Sequence, residues 1–216
     1  MCLLWFSYSI FIFMYPSTLL ALVTVGISIG AFYNRQILGK FIMSPYAVIH
    51  EKEWYRVVTH AFIHANWAHL IFNMIALWSF GIAVEYYFST ITDKPQIHLY
   101  LMYFGAIIFS SIPDLTKKKN NPNYLSLGAS GGVSAIVFAA IFFDPWRLIY
   151  VFFLPCPGIV FGVLYLIYSS YQSKKASDNI NHDAHFYGAI FGLAYPLLIE
   201  PSIFQYFIYQ LTHPSF

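Results

Sequence analysis

Gly128-Ala129-Ser130-Gly131-Gly132 runs directly into the apolar stretch 133–143, and this passage limits what the chain can become more than any other. Residues with little or no side chain let two helices approach until their backbones nearly touch. A helix that begins this way belongs at the centre of a bundle. The serine among them is either a packing residue or a nucleophile in a crowded place. The same residues satisfy a Gly-x-Ser-x-Gly pattern, but the nucleophile elbow needs a strand before it and a sheet around it. Neither is visible in the sequence.

Charged residues make up 9% of the 216 residues and hydrophobic ones 59%. A soluble domain carries about 25% charged residues, so the deficit points to a polytopic membrane protein. The 21% aromatic content supplies anchors for both membrane interfaces. A net charge of +2 does not suggest a nucleic-acid partner. Cys2 and Cys156 give neither a disulfide framework nor CxxC metal spacing. Residues 1–16 are apolar without the basic start of a signal peptide and read as a lead-in adsorbed at, or partly inserted in, the membrane. With no internal repeat, one all-α membrane domain over residues 17–200 and a short aromatic tail, 201–216, is the simplest organisation.

Six apolar runs predict six spans: 17–33, 67–88, 97–112, 130–143, 148–168 and 184–199. Pro16 suits a first helical turn, Asn66 a helix N-cap, and Pro155 and Pro157 interrupt the fifth run. Residues 34–59 mix Arg35, Lys40, Glu51, Glu53 and Arg56 with Phe41, Tyr46, Val48 and Trp54. Such a segment must bury its apolar side chains somewhere, so it is expected to lie in the membrane interface. Lys117-Lys118-Lys119 fixes the stretch 114–123 in water.

Polar groups inside spans are costly and usually face a cavity or a partner. His69 and Asn73 are i,i+4 neighbours on one helical face. Gly81 and Glu85 repeat that spacing, and Glu85 needs a partner or a place at the interface. His185, Gly188 and Gly192 form another stripe, in which Gly188 and Gly192 make a close-packing face. That face can dock on the Ser130 helix and bring an imidazole to the hydroxyl. A serine hydroxyl is a weak nucleophile until such a base takes its proton. Backbone N–H groups at the start of the Ser130 helix, with His69 and Asn73, can stabilise an oxyanion. Asp183, two residues before His185, falls on another face and reads as a solvated loop residue. His60, His64 and His69 lack a neighbouring cysteine or carboxylate, which favours structural hydrogen bonding over zinc. No metal and no cofactor is expected.

Taken together, His69-x-x-x-Asn73, Gly128-x-Ser130-Gly131 and Ala184-His185-x-x-Gly188-x-x-x-Gly192, in that order on spans two, four and six, resemble the rhomboid family of intramembrane serine proteases. The resemblance covers residues 17–199. It implies a six-helix rhomboid-like bundle with an interfacial first loop. It also implies a Ser130–His185 dyad without a third acid, and an oxyanion site of His69, Asn73 and the Ser130 backbone. Glu53-Trp54-Tyr55-Arg56 is similar to the family's Glu-x-Trp-Arg signature, so Arg56, with His60 and His64, is expected to support the first loop. Glu85, Gly128, Gly131, Gly188 and Gly192 complete the supporting set. Two positions depart from the family: Tyr55 stands where tryptophan is usual, and Ser134 stands where many rhomboids place a tyrosine against the catalytic histidine.

The implied activity is endopeptidase cleavage of single-span membrane proteins through an acyl-enzyme, within a lipid bilayer. A catalytically inactive relative that binds membrane clients is the alternative, although such relatives typically lack the serine or histidine. A histidine-lined transporter would need ionisable residues through several spans, and these span interiors hold almost none. The resemblance places the N-terminus in the cytoplasm. The positive-inside rule favours the reverse, since Arg35, Lys40, Lys52, Arg56, Lys117, Lys118, Lys119, Lys174 and Lys175 share the active-site side and only Lys94 and Arg147 oppose them. A prokaryotic plasma membrane is the expected location.

Overall fold

The computed structural model describes residues 15–151, 153–175 and 180–214. The apolar lead-in therefore lies outside the described residues apart from its last two positions. The rest is mostly helical. Helix α1 is Pro16–Tyr33, and three short helices follow: α2 Arg35–Phe41, α3 Pro45–His50 and α4 Arg56–Thr59. A 3-10 turn, His60–Phe62, leads to α5 Trp67–Ser89, α6 Pro95–Lys117 and α7 Ser130–Phe143. A hairpin of β1 Leu148–Val151 and β2 Leu154–Pro157 precedes α8 Gly158–Lys175, α9 His182–Ile199 and α10 Ile203–Thr212.

By length and apolar composition, α1, α5 and α6 are long enough to cross a membrane. Their outward faces carry Leu19, Ile75, Trp78, Leu101 and Ile108 exposed, a belt that water does not tolerate on a monomer of this size. Helix α7 is different. At 14 residues it spans only about 21 Å, and every residue from Gly131 to Phe143 is buried. It packs against α5, α6, α8 and α9. The small residues of its first turns are what permit this central position.

The approach of α1 to α5 explains Gly81 and Glu85. A side-chain carbon at Gly81 would lie 2.3 Å from Ser17 Cβ. Glu85 Oε1 accepts hydrogen bonds from the Ser17 N–H at 3.0 Å and its hydroxyl at 2.8 Å. The carboxyl expected to need a partner finds it in the first turn of α1, where free N–H groups favour an acceptor.

The first loop buries part of its apolar side chains against the protein. Met43 and Val48 are fully buried while Trp54 and Tyr55 stay exposed. Arg56 holds the loop together by donating to Glu53 Oε2 at 2.5 Å, Gly39 O at 2.7 Å and Ile42 O at 2.8 Å. Met43 and Ser126 exchange two backbone hydrogen bonds of 3.0 Å, which ties this loop to the segment entering α7.

Two element boundaries differ from the sequence expectation. Residues 148–157 are not the start of the fifth helix but an antiparallel hairpin, with Leu148 opposite Pro157 and Val151 opposite Leu154. Pro155 and Pro157, two residues apart, would remove two helical hydrogen bonds within one turn, and the β-branched and aromatic residues before them suit a strand. Helix α6 runs beyond residue 112, through Pro113 to Lys117. Its last turn is held because Asp114 accepts from Tyr124 Oη (2.9 Å), Ser126 Oγ (2.9 Å) and Asn181 Nδ2 (2.7 Å). The tail is a helix as well: Phe207 stacks on Phe142 at 4.7 Å, and the Trp146 indole donates to Gln210 O at 2.9 Å.

Candidate active site

Helix α7 meets α9 at backbone distance. A side-chain carbon at Gly188 would lie 2.2 Å from Gly131 O, and one at Gly192 would lie 2.1 Å from Ala135 O. From the other side, a carbon at Gly131 would come within 2.2 Å of Ser110 Oγ and 3.7 Å of Ala184 O. Ser130 and His185 adjoin the residues in this contact, and both line one cavity of about 1090 Å³. Both are half-buried, open to that cavity and closed behind. His69 and Asn73 line it too. The structure thus gathers the four residues singled out as dyad and oxyanion donors.

The loop entering α7 is shaped by Gly128. Its φ of +118° is a conformation that side chains rarely adopt, and a side-chain carbon there would sit 2.7 Å from His69 Cε1. Glycine is required twice over, for the turn and for the imidazole lying against it. The Gly128 N–H donates to His60 O at 2.9 Å. On α5, Asn66 caps the helix by accepting from His69 N at 2.9 Å, and Asn73 Nδ2 donates to His69 O at 2.9 Å. One amide hydrogen of Asn73 is committed there, and its other is left for a ligand.

His60 and His64 support this loop through their rings. Ser28 Oγ gives its one hydrogen to Phe62 O at 2.9 Å, so at 3.0 Å it must accept from His64 Nδ1. His64 Nε2 is then an acceptor, and the Ala129 N–H points to it at 3.4 Å. Ser111 Oγ likewise donates to Ile107 O at 2.9 Å and accepts from His60 Nε2 at 3.3 Å. Both imidazoles are neutral. Burial pushes His60 down to about 4 and His64 down to about 3, the neighbouring His69 adding to the latter.

Their low values have a pH consequence. Below pH 6.5 an unfolded chain takes up protons at both histidines that the folded chain refuses, so stability is full above that value and falls as pH drops toward 4. At pH 5 the loss is about 2 kcal/mol per histidine. Melting of the detergent-solubilised protein at pH 7.5 and pH 5 checks this. A double variant, His60→Gln with His64→Gln, should lose most of the acid dependence, and an equal dependence in that variant would contradict the assignment.

Asp183, expected from the sequence to be a solvated loop residue, lies instead in the first turn of α9. It accepts from Ser173 Oγ and pairs with Lys117 Nζ at 2.9 Å, joining the ends of α6, α8 and α9. One side chain that faces His185 is one that sequence reasoning missed. Tyr165, on α8, stacks on the imidazole with ring centres 6.0 Å apart and planes at 22°. Its hydroxyl is 2.7 Å from Ser134 Oγ. The small residue at 134, noted as a departure, leaves room for this ring. That departure was the only signal available from the sequence.

The rhomboid domain family matches this chain over residues 51–202, a stretch that contains His69, Asn73, Ser130 and His185. The chain belongs to the rhomboid family. RHOMBOID-like protein 12, mitochondrial, of Arabidopsis thaliana is 27% identical over 73% of this chain and 50% of its own length. Rhomboid protease GluP of Bacillus subtilis is 32% identical over 52% of this chain and 20% of its own length. Rhomboid protein 1, mitochondrial, of Saccharomyces cerevisiae is 26% identical over 68% and 42% respectively. The chain spans half or less of the length of each of these relatives.

Proposed function

We propose that the chain is an intramembrane serine endopeptidase. The observation that carries this reading is the contact of α7 with α9 through Gly131 and Gly188, which sets Ser130 and His185 beside one cavity. In this reading Ser130 Oγ attacks the scissile carbonyl while His185 takes its proton. His185 then returns the proton to the leaving amine, and water hydrolyses the acyl-enzyme by the same base. The oxyanion is met by the Ser130 N–H at the start of α7, by the free amide hydrogen of Asn73 and by His69. Asp183 is committed to Ser173 and Lys117, and in this reading the dyad takes no third acid.

In the proposed arrangement α7, α8 and α9 join α1, α5 and α6 to make six spans. Helix α7 is too short to cross about 30 Å of hydrocarbon alone, and its start therefore sits below the membrane surface with the cavity open to water. The substrates are single-span membrane proteins, cut near a helix end where small or helix-destabilising residues let the strand unwind. The N-terminus is cytoplasmic. Arg56 and Lys117, two of the cations opposing that orientation, are tied into the protein by Glu53 and Asp183. Two of the three relatives are named for mitochondria and the third is bacterial, so they lend no support to a prokaryotic plasma membrane in particular.

The test is cleavage of single-span proteins carrying a Gly- or Pro-containing segment near the membrane surface, co-reconstituted with the purified chain in liposomes. A product ending inside or next to the span, absent with Ser130→Ala, is expected. Intact substrates throughout, together with stable binding of them, would favour the client-binding alternative.

A further inference from the structure

Resting on the protease reading, we infer that Asp114 of α6 is a positioning residue for the reaction: its carboxylate holds the segment that leads to Ser130 and the segment that leads to His185 in register. Asp114 belongs neither to the dyad nor to the oxyanion donors. It sits in the last turn of α6, 4% exposed, and lines the same cavity as Ser130 and His185. Tyr124 Oη donates to its Oδ1 at 2.9 Å. Ser126 Oγ and Asn181 Nδ2 donate to its Oδ2 at 2.9 Å and 2.7 Å.

These partners lead directly into the two halves of the dyad. Ser126 is two residues before the Gly128 turn and four before Ser130. Asn181 is the N-cap of α9. Its side-chain oxygen accepts from the Ala184 N–H at 3.0 Å, and its backbone oxygen accepts from the His185 N–H at 3.3 Å. The Asn181 side chain therefore works in two directions. Its oxygen caps the turn that bears the base, and its nitrogen hangs that turn on Asp114.

Lys117 and Asp183 make a second link between the same helix ends, but the lysine side chain is 57% exposed, and an ion pair in contact with water contributes little. The Asp114 bonds are shielded from water, and bonds to a carboxylate are of the stronger, charge-assisted kind. The glycine contacts set how closely α7 and α9 approach. Asp114 adds directional bonds at the ends of those helices that carry the reacting groups. A misplacement of about 1 Å there can cost about 100-fold in rate. Loss of the link is thus expected to slow the chemical step and to leave binding of a small probe unchanged.

The experiment turns on the two ends of the Asn181 side chain. Asn181→Asp keeps an oxygen to cap α9, since Asp and Asn cap about equally well, but sets a second carboxylate against Asp114. Asp114→Asn combined with Asn181→Asp exchanges donor and acceptor and restores the bond with its polarity reversed. Labelling of the detergent-purified protein by a fluorophosphonate is followed in time, separating the limiting rate from the half-saturating concentration, with melting temperature measured alongside. Asn181→Asp is expected to lower the limiting rate by about 10- to 100-fold at unchanged half-saturation, and the exchange to recover it to within about fivefold. A residue that only stabilised the fold would move the melting temperature and leave the limiting rate of the folded protein alone. If Asn181→Asp melts far below wild type, Asn181→Ser makes the smaller change: it still caps α9 but lacks the amide donor, and should lower the limiting rate about fivefold. A wild-type limiting rate in folded Asn181→Asp or Asn181→Ser protein, or a folded exchange variant as slow as Asn181→Asp, overturns the inference and leaves the protease reading intact. Absence of labelling in folded wild-type protein overturns the protease reading and this inference with it.

Discussion

Gly188→Val is expected to separate α7 from α9 and to disable the protein even though it touches neither Ser130 nor His185. Its first added carbon would lie 2.2 Å from Gly131 O and 3.0 Å from Gly131 Cα, both backbone atoms. A backbone atom cannot swing away as a long side chain can, so one helix must move. Overpacking of a core usually costs 1–3 kcal/mol, and a clash with backbone belongs at the upper end, about 3 kcal/mol. The clash also falls one turn from His185, so whatever structure survives should have lost the alignment of base and nucleophile. Gly26→Ala is the matched control: nothing lies within 4 Å of its added carbon, and it should melt within about 0.5 kcal/mol of wild type. A Gly188→Val protein that melts like wild type would show that α7 and α9 do not touch as described.

Ser130→Ala and His185→Ala should do the opposite: leave the fold standing and remove the chemistry. Both side chains are half-buried at the edge of a cavity, so neither truncation empties a packed core. In a serine protease, removing nucleophile or base costs about 10^6-fold in the limiting rate, and removing both costs little more, since the two act as one unit. Asn73→Ala should cost less, about 10^2- to 10^3-fold, as the loss of one oxyanion donor. Cleavage in liposomes, with melting temperature as the control for folding, reads all of these. Residual cleavage near the wild-type rate in Ser130→Ala would remove the serine from the mechanism.

The parts of the fold that follow from spacing were legible in the sequence. Asn66 as a cap, the central placing of the Ser130 helix and the Gly188–Gly192 docking face all stem from local rules, and each stands in the structure. Glu85 could be flagged as a buried carboxyl in need of a partner, but not matched to Ser17, because the two are 68 residues apart in sequence. The fate of Asp183 was out of reach for the same reason, since its partner Lys117 comes from the end of α6. Tyr165 shows the limit most clearly. Among 18 tyrosines it has no distinguishing neighbour in sequence, and only the register of α8 against α9 and the gap left by Ser134 give it a place over His185. The hairpin at 148–157 differs in kind: the apolar run has the length of a span, but two prolines two residues apart favour a strand pair over a helix there.

An activated nucleophile at Ser130 is what separates a protease from a client-binding protein. Covalent labelling of the detergent-purified protein by a fluorophosphonate probe tests that without knowledge of any substrate. Labelling at Ser130, located by mass and absent in Ser130→Ala and His185→Ala, is the result this structure predicts. A folded wild-type protein that takes no label, under conditions in which an active serine protease of the membrane is labelled, would contradict it.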